Sequence, residues 1–167
     1  MEPTPDERRK ILVNPQCVVC GSQNPLGMQI QFAKNGADAV TATWTPSSAW
    51  EGFKGLVHGG ILTAVLDAAM SRAVVASGLE ALTCEMRVRF RGHVEPGERM
   101  HVRGWVGSHR GRKVTAEACM CTPDGDERLH AWATFLVIPR SWAPRRAPAP
   151  RDAGDFEPAA GERPPAR

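Results

Sequence analysis

The feature that most constrains the fold is a long apolar segment that begins with two glycines. From residue 59 to residue 77, apolar side chains recur at spacings of three and four residues, which predicts a largely buried helix. The apolar positions are Ile61, Leu62, Val65, Leu66, Ala69, Met70, Ala73 and Val74. Gly78 predicts the end of the helix, because glycine readily takes the left-handed conformation that terminates helices.

Alternating apolar and polar residues on both sides of this helix predict an antiparallel sheet. Before the helix we expect a hairpin with strands at 28–32 and 40–44, and after it three or four strands over 82–91, 100–106, 114–120 and 129–137. In the strand at 82–91, the alternation assigns Leu82 to the apolar face and Thr83 to the charged face. Gly104 indicates a bulge or close packing. One long helix with one antiparallel sheet of about five to six strands is an α+β fold.

The 167-residue chain is expected to form one domain with two tails. We expect a lead-in over 1–14, the folded domain over 15–139 and a disordered tail over 140–167, which is rich in Pro, Ala and Arg. No apolar run approaches the roughly 20 residues that span a bilayer, and the charged N-terminus does not resemble a signal peptide. A cytoplasmic protein without a membrane partner is therefore expected.

The formal net charge of +3 is too small to predict a nucleic-acid partner. Two local clusters are basic nevertheless: Arg87, Arg89 and Arg91 alternate along a predicted strand, and Arg110, Arg112 and Lys113 cluster in another segment. Either cluster could bind phosphate groups or form an ordinary solvated surface, and the sequence leaves both interpretations open.

The five cysteines favour reduced thiols, because an odd count without a signal peptide argues against a disulfide framework. Cys17 and Cys20 have the spacing of a zinc-ligand pair, but a second such pair is missing. Cys119 and Cys121 would share one strand face, at a spacing that does not suit a zinc knuckle. No metal site is therefore predicted, although a zinc protein built on Cys17 and Cys20 stays as an alternative.

The start of the predicted helix is a candidate binding site for a carbonyl oxygen. His58-Gly59-Gly60 places two glycine amides among the unpaired donors of the helix N-terminus. Without side chains there, a ligand can approach the backbone and the positive end of the helix dipole. These are the requirements for stabilising the oxyanion that forms when a thioester is attacked.

A narrow polar stripe follows on the same helix. Thr63, Asp67 and Ser71 lie four residues apart on an otherwise apolar surface. The stripe could simply face water, or Asp67 could act as a general base or nucleophile.

Three segments together resemble a known family. They are the run from Trp50 to Gly60 with Leu66-Asp67, the lead-in Cys17-Val-Val-Cys20-Gly21 with Asn24-Pro25-Leu26-Gly27, and the strand from Leu82 to Phe90. They resemble the hotdog-fold thioesterases of the phenylacetate-degradation (PaaI-like) group, over roughly residues 15 to 138. The resemblance implies a sheet wrapped around a central helix, and hydrolysis of an acyl-CoA or similar thioester by a homodimer or homotetramer.

The resemblance also implies residue roles. The Gly59 amide would polarise the thioester carbonyl, and Gly60 would allow close approach. Asp67 would activate water or attack the carbonyl itself, and Thr83 would orient the water or Asp67, across a dimer interface. His58 matches the family histidine and could only hold the loop. No metal or cofactor is expected.

Coenzyme A carries phosphates, so the resemblance gives the basic clusters a possible role in substrate binding. The candidates are Arg110, Arg112 and Lys113, followed by Arg89 and Arg91.

The sequence also departs from the family pattern. Some relatives have Asn or Gln before the His-Gly-Gly motif, whereas this chain has Gly52-Phe-Lys-Gly55, and Ala68 follows Asp67 where an acid is common. These departures keep open a non-catalytic acyl-CoA-binding module on the same fold. The acyl group and its carrier, coenzyme A or acyl-carrier protein, are not readable from the sequence.

Overall fold

The computed structural model describes residues 14–139. The predicted tail over 140–167 and nearly all of the predicted lead-in over 1–14 lie outside the described residues.

The described part of the chain is built around one α-helix and a six-stranded antiparallel sheet, which confirms the predicted α+β fold. In chain order the elements are β1 (Ala33–Lys34), β2 (Ala39–Trp44), a 3-10 turn (Ser48–Trp50), β3 (Glu51–Phe53), β4 (Leu56–Val57), α1 (Gly59–Ala76), β5 (Ala81–Phe90), β6 (Met100–Arg110), β7 (Lys113–Cys121) and β8 (Glu127–Val137). The sheet order is β1-β2-β6-β7-β8-β5, and β3 and β4 form a separate small hairpin.

The helix α1 is the centre of the core, as predicted. Leu66, Ala69 and Met70 are fully buried against the sheet. The helix ends one residue before the predicted limit, and Gly78 follows it with a φ of 83°. By length and composition α1 would also suit a membrane span, but in this fold it is the core helix, packed on β2 and on β5 to β8.

Close packing explains Gly104, one of the two alternatives predicted for it. A Cβ atom at this position of β6 would lie 2.5 Å from the Ala69 carbonyl oxygen of α1. The helix therefore rests directly on the backbone of β6, which only glycine permits.

The strand predicted at 28–32 is wrong in its position. The hairpin partner of β2 is the two-residue strand β1, at 33–34. Residues 28–30 instead bond to the N-terminal segment: the Met28 N–H donates to the Val18 carbonyl (2.8 Å), and the Ile30 N–H donates to the Val19 carbonyl (2.9 Å). Gln29 between them has a φ of 52°, which breaks the extended conformation.

A bulge at Cys84 corrects the predicted faces of β5. Thr83 pairs with Phe135 and Glu85 pairs with Thr134, so β5 carries one extra residue at this point. Cross-strand partners share a face, and Phe135 is fully buried, so Thr83 lies on the helix side of the sheet. Leu82 is correspondingly turned outward and is 47% exposed.

Candidate active site

His58 caps the start of α1. Its Nδ1 atom accepts a hydrogen bond from the Gly60 N–H (2.9 Å), and its backbone N–H donates to the Trp50 carbonyl (2.8 Å). A Cβ atom at Gly52 would lie 2.8 Å from the imidazole ring, so the glycine there leaves room for His58. The Gly60 amide is thereby occupied, and Nε2 is the ring nitrogen that carries the proton.

The Gly59 amide is the donor that stays open. It is the first residue of α1, and no group among the described residues accepts a hydrogen bond from its N–H. Gly59 lines a cavity of about 360 Å³ together with His58 and mainly apolar side chains, which are Phe53, Leu56, Val57, Leu62, Phe90 and Val94. An acyl group in this cavity would have its carbonyl oxygen beside the positive end of the helix.

Asp67 and Thr83 are in direct contact. The Thr83 hydroxyl donates to Asp67 Oδ1 at 2.8 Å. The contact is made within one chain, whereas the resemblance implied that Thr83 acts across a dimer interface. The bulge at Cys84 makes this contact possible, since it turns Thr83 toward the helix. Oδ2 of Asp67 has no hydrogen-bond partner among the described residues, so it can accept a proton from water.

Asp67 lines a second cavity, of about 430 Å³. Ser71 and Thr83 also line it, so the polar stripe of α1 is half-buried here and does not simply face bulk water. Other lining residues are Cys17, Cys20 and Arg72. The Arg72 guanidinium donates to Cys20 Sγ at 2.8 Å, and the two thiol sulfurs are 3.5 Å apart.

Sequence reasoning missed Arg72 as a residue of this cavity. It lies five residues after Asp67, and its placement follows from the lead-in turn that carries Cys17 and Cys20, a contact that no periodicity predicts. Gly21 permits that turn, since a Cβ atom there would lie 2.4 Å from the Cys17 backbone nitrogen.

The two thiols differ in acidity. Burial raises the pKa of Cys17, but hydrogen bonds from the backbone of Cys20 and Val19 outweigh it, and the pKa ends below its ordinary value. Burial raises the pKa of Cys20, against the opposing effect of the Arg72 guanidinium. No third metal-ligating side chain joins these thiols within residues 14–139.

The candidate catalytic groups of one chain do not meet. Gly59 and Asp67 are eight residues apart on α1, which separates them by about 12 Å along the helix axis, and they line different cavities. A water molecule activated by Asp67 cannot reach a carbonyl carbon held by the Gly59 amide of the same chain.

The basic candidates fall at opposite ends of the sheet. Arg110, Arg112 and Lys113 form the exposed β6–β7 turn, and Lys113 lies in register with Leu136, the β8 partner of Leu82. They are therefore near the Thr83 end of β5.

Arg89 and Arg91 belong to the other end of β5. Arg89 pairs with His130 on the face of the sheet that is opposite α1, and Arg91 Nε lies 2.8 Å from Glu127 Oε1. None of the five basic candidates lines either cavity.

Residues 54–128 match the family model of the thioesterase superfamily. This span includes His58, Gly59, Asp67 and Thr83. No curated protein matches the sequence.

Solved structures share the fold. A crystal structure of a thioesterase superfamily protein has a TM-score of 0.71 and 25% identity, over 74% of this chain and 61% of that chain. The chain thus spans less than two thirds of that protein. The E. coli PaaI protein from the phenylacetic acid degradation operon has a TM-score of 0.62 and 15% identity, over 65% of this chain and 83% of that chain. A Streptococcus mutans protein bound to acetyl-CoA has a TM-score of 0.62 and 15% identity, over 65% of this chain and 88% of that chain.

Proposed function

From the premise that the chain is a hotdog-fold member of the thioesterase superfamily, we propose that it hydrolyses an acyl-CoA-type thioester. Water attacks the thioester carbonyl, the carbon–sulfur bond breaks, and the free acid and the thiol are released. The match of residues 54–128 to the thioesterase superfamily and the fold shared with solved thioesterase structures bear out the resemblance inferred from the segments around residues 50–60 and 66–67. The activity and the residue roles are our proposal.

The open Gly59 amide carries the proposal. It is an unpaired backbone donor at the N-terminus of a buried 18-residue helix, and it lines an apolar cavity. Such a donor stabilises the negative charge that develops on the carbonyl oxygen in the transition state. His58 acts as a positioning residue, because its bond to the Gly60 amide fixes the backbone at the helix start.

Asp67 is the proposed general base, or the nucleophile in a covalent route. Its Oδ2 atom is open toward the cavity, while Thr83 holds Oδ1 and so fixes the carboxylate plane. Since Asp67 and Gly59 of one chain are too far apart to act on one carbonyl, the working site needs the partner subunit's Asp67.

The edge strand β5 supports a homodimer. It is ten residues long and lies at one end of the sheet, with Leu82 and Phe90 47% and 52% exposed. A long edge with exposed apolar side chains is a template for pairing with a second copy.

Antiparallel pairing of two β5 edges would bring the proposed groups together. The Phe90 end of one strand, beside the Gly59 cavity, then meets the Ala81 end of the partner's strand. The partner subunit's Asp67 and Thr83 lie near that end, and so does the partner's basic turn, residues 110–113, which could bind the phosphates of the carrier.

A pair of Gly59 variants tests the oxyanion role. Proline is tolerated at the first helical position, where it removes the N–H and adds a ring, and His58 already has the extended conformation that precedes proline (φ −61°, ψ 129°). We expect Gly59→Pro to reduce turnover by about 10²–10³-fold in a panel of short, long and aromatic acyl-CoAs with free-thiol detection. Gly59→Ala is the control, because its Cβ would lie 3.4 Å from the Phe90 ring, an ordinary contact, and the N–H is retained.

Variants of Asp67 and of two residues that line its cavity test the role of Asp67 as the general base. Asp67→Asn should lower turnover by about 10²–10⁴-fold, and Thr83→Val by about tenfold through loss of one hydrogen bond. Ser71→Ala is the control. Ser71 lines the same cavity but makes no hydrogen bond to Asp67, so this variant should leave turnover nearly unchanged.

A mixing experiment tests the composite site. In dimers that form at random from Gly59→Pro and Asp67→Asn chains, one site per mixed dimer is intact, so about a quarter of the wild-type activity should return. Activity that stays at the level of the single variants would contradict a site shared between subunits.

The alternative is a binding module for acyl-CoA without turnover, which the separation of the two cavities favours if the chain acts as a monomer. Binding of coenzyme A without thiol release from any acyl-CoA, and without an effect of Asp67→Asn, would establish it.

A further inference from the structure

Two thiols and a carboxylate converge on the outer face of the sheet, which we define as the face opposite α1. The Sγ atoms of Cys119 and Cys121 and a carboxylate oxygen of Glu127 all lie within 4.8 Å of one another. Among residues 14–139 this is the one group of three or more such ligands.

The register of β7 and β8 produces this cluster. Cys119 and Cys121 alternate with buried Met120 on β7, so both thiols lie on the outer face. Met120 pairs with Leu129, but Cys121 pairs with Glu127, so Arg128 is an extra residue on β8. Because of this bulge, a carboxylate and not a guanidinium stands across from Cys121.

Neighbouring side chains fix the carboxylate of Glu127. Oε1 lies 2.8 Å from Arg91 Nε, and Oε2 lies 3.1 Å from His130 Nδ1. The His130 ring is held in turn by Glu117, 3.1 Å from Nε2, and stacks on Trp132 at 4.3 Å. Carboxylates that ligate metals are oriented by hydrogen-bonded neighbours of this kind.

The thiols are also accessible. Cys119 and Cys121 line a groove of about 520 Å³ on the outer face, together with His101 and Arg103. A hydrated ion can enter from this side, and a water molecule can occupy a coordination position left open by the protein.

We propose that Cys119, Cys121 and Glu127 bind a soft divalent cation of the Zn²⁺ class. Thiolate ligands select such ions over Mg²⁺ or Ca²⁺. Tetrahedral coordination separates ligand atoms by roughly 3.6–3.8 Å, so the side chains need to move by only about 1 Å. Two thiolates and one carboxylate carry three negative charges, which the ion and the Arg91 guanidinium balance.

Cobalt binding tests the proposal directly, without reference to the hydrolytic activity. The full chain is stripped with a chelator and titrated with Co²⁺, whose thiolate complexes absorb in the near ultraviolet. We expect one equivalent of Co²⁺ to produce this band and Zn²⁺ to abolish it. Cys119→Ser and Cys121→Ser should each remove the band, and Glu127→Gln should weaken binding at least about tenfold.

The lead-in thiols provide the matched control. The double variant Cys17→Ser, Cys20→Ser should retain the band, because those thiols lack a third ligand among the described residues. Absence of a band in the wild-type chain would overturn the proposal, and so would a band that survives both outer-face substitutions but is lost in the lead-in double variant. Far-UV circular dichroism confirms that each variant is folded.

Discussion

The contact between Gly104 and α1 sets a measurable penalty for one added methyl group. In Gly104→Ala the new Cβ would lie 2.5 Å from the Ala69 carbonyl oxygen and 2.6 Å from its carbon, and both are backbone atoms of the helix. The helix must therefore shift by several tenths of an ångström while Leu66 and Met70 around it are fully buried. Overpacking of this kind costs about 1–3 kcal/mol, whereas the loss of glycine entropy in the unfolded chain returns about 0.4–1 kcal/mol.

We therefore expect Gly104→Ala to lower the free energy of unfolding by about 1–2 kcal/mol. Urea unfolding followed by far-UV circular dichroism measures this, at one fixed protein concentration because a dimer would couple stability to concentration. Gly107→Ala, on the same strand, is the control: its Cβ would lie 3.0 Å from the hydroxyl oxygen of the exposed Thr115 side chain and no closer than 3.6 Å to a backbone atom of that residue. Equal stability of the two variants would refute the reasoning.

Two further predictions concern the core and the thiols. Leu66→Ala should cost about 2–5 kcal/mol in the same urea assay, because Leu66 is fully buried at the centre of α1; a loss below 1 kcal/mol would show that the site collapses around the smaller residue. In the chain stripped of metal with a chelator, iodoacetamide should label Cys17 before Cys119 as the pH rises, since hydrogen bonds lower the pKa of Cys17, whereas burial and the neighbouring Cys121 thiol raise the pKa of Cys119 to about 12. Peptide mass spectrometry would follow the labelling, and comparable rates at both thiols would contradict the assigned acidities.

The sequence predicts the parts of the fold that depend on local periodicity. Apolar residues spaced by three and four predict the helix, and apolar residues spaced by two predict the later strands, because these spacings reflect which side chains are buried. The glycine after the helix predicts its end. The first strand was misplaced because residues 28–30 alternate like a strand but bond to the N-terminal turn instead. Alternation of apolar and polar residues indicates which side chains are buried, but it does not show which segment the backbone N–H and C=O groups bond to.

The sequence names candidates for the site, such as Asp67 and Thr83, but the geometry that brings them together depends on bulges. Neither the bulge at Cys84 nor the one at Arg128 has a glycine or proline to mark it in the sequence. The first turns Thr83 from the charged face to Asp67, and the second places Glu127 across from Cys121. A bulge is a mismatch between two strands, so it exists only once the register is known.

The separation of Gly59 from Asp67 shows why family motifs and physical sites must be distinguished. Both residues stand in one short segment, and a motif treats them as one unit. Rise along the helix separates them by about 12 Å, so within one chain they serve two cavities. If the chain is an enzyme, the long exposed edge of β5 is then as necessary for catalysis as Asp67 itself. A substitution that blocks β5 pairing, such as Leu82→Lys, should yield a folded monomer without turnover. Because Leu82 also lines the Asp67 cavity, sedimentation must show the loss of the dimer, and a dimer that loses turnover would contradict the reasoning.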